Sequence, residues 1–180
     1  MRRLSTSFLD LFLLLLMSVV VMVKPVTEDA PEELTHFIVT ATWEDVDNDV
    51  DIWGKRCGVA DTECGFTRRE VSNLRLHGDW TGSTYGMHGE LSKFAFETMT
   101  IDAIIAGEYG FSLEGYSLRD STTVKITVAS VKPYRLLIDK EVVVEHGQWT
   151  SIGRVSIDGE GKVLMVDESL EVNIMGDNRD

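Results

Sequence analysis

The sequence predicts an all-β chain: an antiparallel β-sandwich of about eight or nine strands, preceded by one N-terminal transmembrane helix. Three observations support this fold class. From Leu34 onward, apolar residues alternate with polar ones, as they do in half-buried strands. Turn residues separate these segments at short intervals, and no window after Pro25 has the apolar spacing of an amphipathic helix. The one segment that predicts a helix is an apolar run before Pro25.

The N-terminal apolar run, residues 6–24, is predicted to cross a membrane. Between residues 8 and 23 only Asp10 and Ser18 are polar. A helix rises about 1.5 Å per residue, so this run with its flanking residues reaches about the 30 Å of a bilayer core. Arginines precede the run and acidic residues follow it, so the positive-inside rule places residues 1–5 in the cytoplasm. We therefore expect an inner-membrane protein with a periplasmic C-terminal domain.

A cleaved signal peptide is the alternative interpretation of this run, because a basic segment and a long apolar segment are both present. The cleavage site is poor, however. The small residue in the expected window is Ala30, with Glu28 at the −3 position and Pro31 directly after it. The uncleaved anchor is therefore the favoured interpretation.

The rest of the chain divides into a linker at residues 25–33, an exported domain at 34–166 and an acidic C-terminal tail at 167–180. The formal net charge of the chain is −13. A surface of this sign repels nucleic acid and anionic lipid headgroups, so no nucleic-acid partner is expected. A basic partner and simple solubility both account for the charge.

The first strands follow directly after the linker. Residues 37–43 carry apolar side chains at alternating positions, which predicts a half-buried strand. An acidic turn leads into a second short strand at 50–53, and a loop with both cysteines is predicted at 54–65. The later segments are short strands at 66–70 and 73–76, a glycine-rich loop at 77–89, and strands at 96–105, 109–113, 124–128, 135–144, 149–157 and 162–166. The predicted core residues are Trp43, Ile52, Tyr109, Phe111, Ile126 and Ile138.

The two cysteines, Cys57 and Cys64, lie close together in a glycine-containing loop. In an exported domain, an even pair at this spacing predicts one local disulfide. Free thiols are the alternative. A zinc site needs four ligands, and the four histidines have no finger-like spacing with these cysteines.

Asp47, Asp49 and Asp51 are spaced by two residues, which on a strand places three carboxylates on one side. A hard cation with oxygen ligands, such as calcium, would offset their mutual repulsion. Asp79, in the glycine-rich loop, is our candidate for completing the shell. The alternative is a solvated turn in an acidic protein.

The exported domain also resembles a family of uncharacterised bacterial and phage β-sandwich domains. The resemblance lies in Trp43, in Asp-Val-Asp-Ile-Trp at residues 49–53, and in Gly-Glu-Tyr-Gly-Phe-Ser-Leu at residues 107–113. The Asp-x-Asp element is also similar to that of the TerD stress-protein family, where it implies calcium. The resemblance covers roughly residues 37–157.

The membrane run resembles the single helix of the ExbD, TolR and MotB proteins. In those proteins a Phe-aliphatic-Asp step opens a leucine-rich helix and a proline follows it, as Phe8, Asp10 and Pro25 do here. The resemblance implies that Asp10 carries protons or ions, that the helix pairs with a second copy, and that the partner is a polytopic ExbB- or MotA-like protein. Asp10 lies near the cytoplasmic end of the run. The alternative to an ion carrier is therefore that Asp10 is a boundary residue whose carboxylate reaches the lipid headgroups.

The sequence contains no nucleophile elbow, zincin motif, P-loop or dinucleotide fingerprint, so we expect no enzyme and no certain cofactor beyond the calcium candidate. Two functions follow. The first is a subunit of an ion-driven motor with a periplasmic output or binding domain. The second is a membrane-tethered β-sandwich that serves as a binding or structural module, with the helix serving only as its anchor.

Overall fold

The structure is a computed structural model that describes residues 35–78, 95–169, 171–172 and 174. These described residues form ten strands and no helix. The strands are β1 (Phe37–Trp43), β2 (Asp49–Arg56), β3 (Glu70–Val71), β4 (Leu74–Leu76), β5 (Ala95–Ile101), β6 (Gly107–Ser117), β7 (Thr122–Val131), β8 (Tyr134–Val144), β9 (Trp149–Ile157) and β10 (Val163–Asp167).

The strands form two antiparallel sheets. Sheet A has six strands in the order β3-β4-β5-β1-β7-β8, and sheet B has four in the order β10-β9-β6-β2. The predicted all-β class with antiparallel sheets is therefore confirmed. The described residues form ten strands, slightly more than the predicted eight or nine. The short strands predicted at 66–70 and 73–76 correspond to β3 and β4, which form a hairpin at the edge of sheet A, and β3 is confined to two residues.

One hydrophobic core contains residues from both sheets. Along β1 the side chains are buried at every second position, and the buried face meets residues of sheet B. This is the pattern expected of a strand with one face on the core. All six predicted core residues are buried: Trp43, Ile52, Tyr109, Phe111, Ile126 and Ile138.

The free edge of β2 is closed by groups from outside sheet B. The backbone N–H of Ile52 donates a hydrogen bond of 2.7 Å to Oε2 of Glu97, a fully buried carboxylate on β5. Next along the edge, Gly54 exchanges two backbone hydrogen bonds with Cys64. An unpaired buried N–H is costly, so these bonds let the edge strand be buried.

The predicted strand bounds mostly agree with the structure to within a few residues, and the strand at 149–157 has the predicted bounds. The strand predicted at 96–105 ends earlier, at Ile101, because Asp102 leaves the ladder and accepts a hydrogen bond from Thr35. Most of the predicted loop at 77–89 lies outside the described residues, as does the whole predicted membrane run. Within the described part of the chain, no helix is long and apolar enough to span a membrane.

Candidate binding face on sheet B

Both faces of β2 are buried. Val50, Ile52 and Gly54 face the interior, whereas Asp51 and Trp53 between them face the other way and are also shielded from solvent. A strand at the edge of a two-layer fold usually leaves one face in water. The burial of the second face therefore shows that other parts of the chain cover the outer side of sheet B.

Four aromatic rings form a continuous row on this outer face. Trp53 contacts Phe66 edge-on at 5.6 Å between ring centroids and Trp149 at 5.3 Å, and Phe66 contacts Tyr116 at 5.3 Å. We call these four residues the aromatic row. Its inner members are shielded, whereas Tyr116 is 54% exposed and Trp149 is 37% exposed. Each such ring pair adds roughly 0.5–1.5 kcal/mol beyond simple burial.

A carboxylate supports the centre of the aromatic row. The indole Nε1 of Trp53 donates a hydrogen bond of 3.0 Å to Oε2 of Glu114. Burial raises the pKa of Glu114 above its ordinary value, and the bond from Trp53 opposes this shift. Glu114 also lies directly opposite Asp51 in the β2–β6 ladder, so two acidic residues share this part of the face.

A segment near the C-terminus lies across the same face; we call its described residues Glu171, Val172 and Ile174 the strap. The hydroxyl of Ser112 donates to the carbonyl of Val172 at 3.0 Å, and the N–H of Val172 donates to the hydroxyl of Ser151 at 2.8 Å. Arg154 Nη2 donates to the carbonyl of Glu171 at 2.8 Å. Sheet B thus holds the strap by its main chain, through side-chain donors and acceptors.

The strap also buries two apolar side chains. Val172 and Ile174 are 6% and 2% exposed and form a small cluster with Trp53, separate from the core between the sheets. Gly110 makes room for Val172, because a Cβ at that position would come within 2.7 Å of Val172 Cγ1. We call the part of the outer face that the strap covers, beside Trp53, Gly110, Ser112 and Ser151, the groove.

Charged groups flank the groove. Arg154 Nη1 forms an ion pair of 2.7 Å with Glu108 Oε1. The thiol of Cys57 lies beside the same point above Gly110 that Val172 occupies. Burial raises the pKa of the Cys57 thiol above 9.0; nearby Arg154 opposes the shift and Glu108 adds to it.

The predicted disulfide is wrong for this structure, in which Cys57 and Cys64 are both free thiols. Cys64 is opposite Gly54 and belongs to the interior, whereas Cys57 lies three residues beyond Gly54 on the outer face. Three residues of extended chain cover about 10 Å, more than the roughly 7 Å between Cα atoms that a disulfide spans. The loop between the cysteines is short in sequence, but it does not bring them together.

The acidic run is divided by the start of β2. Asp49 and Asp51 lie in the strand and are buried, whereas Asp47 precedes it and pairs with Arg119 at 2.8 Å. The predicted row of three carboxylates on one strand is therefore wrong for Asp47. Asp79 lies outside the described residues. Among the residues that are described, no group of three or more His, Cys, Asp or Glu side chains is placed to hold a metal ion.

Sequence reasoning missed Ser112, Ser151, Arg154 and the strap. The available signal was that β2 has apolar or bulky residues on both faces, from Val50 to Trp53. Asp10, the predicted ion-carrying residue, is outside the described residues. Comparisons with protein-family models, with curated proteins and with solved structures find no match. The outer face of sheet B therefore has to be interpreted from its own chemistry, which is a row of aromatic rings beside polar side chains that bond to the main chain of the strap.

Proposed function

We propose that this chain is a membrane-tethered binding protein whose β-sandwich domain binds its ligand on the outer face of sheet B. One observation carries the proposal: a continuous aromatic row on a face with a groove ends in two exposed rings, Tyr116 and Trp149. Exposed Trp and Tyr residues beside a desolvated cluster are typical of binding hot spots. Their exposure is unfavourable without a partner, which is why such patches usually mark interaction sites.

A second candidate function places the same domain in an ion-driven motor. The observation that favours it is Asp10, the one carboxyl in an otherwise apolar run. An ionisable group at membrane depth is costly and usually functional. In this proposal the helix pairs with a second copy of the chain inside a ring of polytopic ExbB- or MotA-like partners. The N-terminus is cytoplasmic, and the β-sandwich is the periplasmic output domain.

The two proposals share a binding face and differ in what the helix does. In the first, residues 6–24 serve only as an anchor. In the second, Asp10 turns toward the polytopic partner, because lipid offers it no hydrogen bond. Calcium at Asp47, Asp49, Asp51 and Asp79 stays a separate prediction, tested by whether millimolar calcium raises the melting temperature of chelator-treated protein.

Site-specific photo-crosslinking tests the binding face. A benzophenone amino acid replaces Trp149 or Tyr116 in the full chain expressed in cells. The control is Tyr134, which is 75% exposed on β8 in sheet A. We expect one discrete crosslinked species from positions 149 and 116 and none from 134. The same species from all three positions, or none from any, would contradict the proposal.

Substitution of Asp10 tests the motor candidate. Asp10→Asn keeps the shape of the side chain and removes its titratable charge, while Asp10→Glu keeps the charge. In a motor, the Asn variant inserts normally and loses every activity that depends on the proton or sodium gradient. If the Asn variant functions normally at matched expression, the helix is only an anchor.

A further inference from the structure

We infer that the groove on sheet B is a peptide-binding site, and that the strap occupies it in place of a basic, extended peptide from a partner protein. The inference rests on the binding function proposed above and names the class of ligand. The strap is direct evidence that a peptide fits, because Glu171, Val172 and Ile174 are seated there with defined contacts.

The polar contacts of the groove act on the peptide main chain. Ser112, Ser151 and Arg154 bond to the carbonyl or N–H groups of Glu171 and Val172. Any extended segment presents the same groups at the same spacing. These three bonds therefore fix the position of a peptide without selecting its sequence, as main-chain pairing does in other extended-peptide sites.

The apolar contacts supply the selection. Val172 and Ile174 are two residues apart in the sequence, and both side chains pack with Trp53. The notch above Gly110 is filled by Val172 and would be closed by a single methyl group. The preferred ligand has two aliphatic residues at positions i and i+2, the first of them small enough for the notch.

The charge of the C-terminal segment that contains the strap makes it a poor ligand for its own domain. Residues 167–180 contain five acidic residues and one basic residue, and the whole chain has a net charge of −13. On the face itself, Asp51, Glu108 and Glu114 outnumber Lys55 and Arg154. Opposite charge on a ligand favours association and like charge opposes it. A peptide with the same two aliphatic residues and basic neighbours therefore competes with the strap.

Displacement requires only local opening. The described strap is held by three main-chain bonds and two apolar side chains, and it is not paired into either sheet. Segments with few contacts open at much lower cost than a core strand. The apparent affinity for a partner is then the intrinsic affinity multiplied by the fraction of chains in which the groove is open.

Fluorescence polarisation with three labelled peptides tests the inference on the full chain in detergent. The native peptide has the sequence of residues 169–180. The basic peptide replaces Glu171, Asp177 and Asp180 by lysine, and the third peptide adds serine in place of Val172 and Ile174. The strap-open receptor is the full chain with Val172→Asp and Ile174→Asp. Its control is Leu164→Asp, which adds a charge at an exposed position on β10.

We expect the basic peptide to bind the unmodified chain and the Leu164→Asp control alike, and the strap-open chain about tenfold more tightly or better. Its binding should weaken with added salt, and the serine-substituted peptide should bind at least about tenfold more weakly, since each position loses its apolar contact. If the strap-open variant fails to fold, Ile174→Ser removes one of the two apolar contacts of the strap and does not alter the notch above Gly110. Leu164→Ser is its control, because Leu164 is exposed on β10.

Three results would overturn the inference. The first is no binding of the basic peptide to a folded strap-open chain. The second is equal binding of the serine-substituted peptide. The third is tighter binding of the native peptide with dimerisation of the strap-open chain, which would assign the groove to a second copy of this protein. If any of these results is obtained and position 149 still gives a crosslinked species, the binding function stands and only the inference of a peptide ligand is overturned.

Discussion

The interior between the sheets and the outer face of sheet B are both apolar, but they are closed in different ways. The interior is filled by alternating residues of strands from both sheets, with the side chains of Trp43, Tyr109 and Phe111 among the largest. The outer cluster contains Trp53 and is closed by a strap outside the strands. Regular pairing closes the first region, and side-chain bonds to one peptide segment close the second.

We expect this difference to separate stability from the proposed binding function. The interior buries large side chains that no local motion can expose, so it should open only when the domain unfolds. The outer cluster depends on a few bonds from Ser112, Ser151 and Arg154 to the strap. The proposed binding function needs a cover that can leave, and we expect the strap to open more easily than the interior.

The largest expected effect is in the interior. Phe111→Ala removes a fully buried ring from β6 and should lower the free energy of unfolding by about 3–5 kcal/mol. Chemical denaturation followed by circular dichroism measures the loss. Tyr134→Ala is the control, because that ring is largely exposed, and it should change stability by less than about 0.5 kcal/mol. Equal losses of unfolding free energy in both variants would mean that Phe111 is not part of the core.

The second prediction concerns the buried carboxylate at the edge of β2. Glu97→Ala leaves the N–H of Ile52 without its acceptor and should cost about 1–3 kcal/mol on top of the cavity it makes. Glu97→Gln keeps an acceptor oxygen at the same reach and should cost clearly less. The same denaturation measurement compares the two variants. A Gln variant as unstable as the Ala variant would show that the charge, and not the acceptor, holds the edge.

The interior was largely predictable from sequence because its signal is local. The alternation of apolar residues identifies Ile126 and Ile138 as core residues without any knowledge of their neighbours. The strand at 149–157 is bounded by the same pattern. Pairing order depends on contacts between distant residues, such as those that pair β1 with β7, so no window of the sequence contains it.

The outer face could not be predicted, since its parts are far apart in the chain. Trp53 on β2 meets Val172 because Ser112 on β6 and Ser151 on β9 hold the strap on the same face. The cysteines show the opposite error: they are close in sequence, yet Cys57 and Cys64 lie on different faces. Sequence spacing predicted a link that the pairing of Cys64 with Gly54 prevents.

The thiols give a third prediction, since each region contains one of them. Burial raises the pKa of Cys64 to about 11, and Cys57 is only half-buried. Iodoacetamide should label Cys57 at least about tenfold faster than Cys64 in the folded chain, because opening the strap is local and opening the core is not. Peptide mass mapping over time measures both rates. Gly110→Ala should speed labelling of Cys57 alone, and an unlabelled oxidised pair would contradict both the prediction and the free thiols.

The smallest expected effect is at Glu114, beneath the aromatic row. Burial raises its pKa above the ordinary value of 4.5, so the folded chain holds this proton more tightly than the unfolded chain. The resulting stabilisation is complete below the ordinary pKa and is lost as the pH rises through the raised one. Above that pH the ionised carboxylate destabilises the folded chain, and solvent screening limits this destabilisation to about a few tenths of a kcal/mol.

Glu114→Gln removes this destabilising charge and keeps an oxygen that can accept the hydrogen bond from Trp53. The variant should therefore melt slightly higher than the unmodified chain at neutral pH, and the difference should vanish as the pH falls below about 4.5, where the native side chain is itself uncharged. Melting temperatures across this pH range measure the effect, with Glu160→Gln in an exposed turn as the control. A variant that melts lower at neutral pH would mean that the charged bond to Trp53 outweighs burial. The aromatic row would then be held by a strong polar contact as well as by ring packing, and the outer face would be more rigid than its few contacts imply.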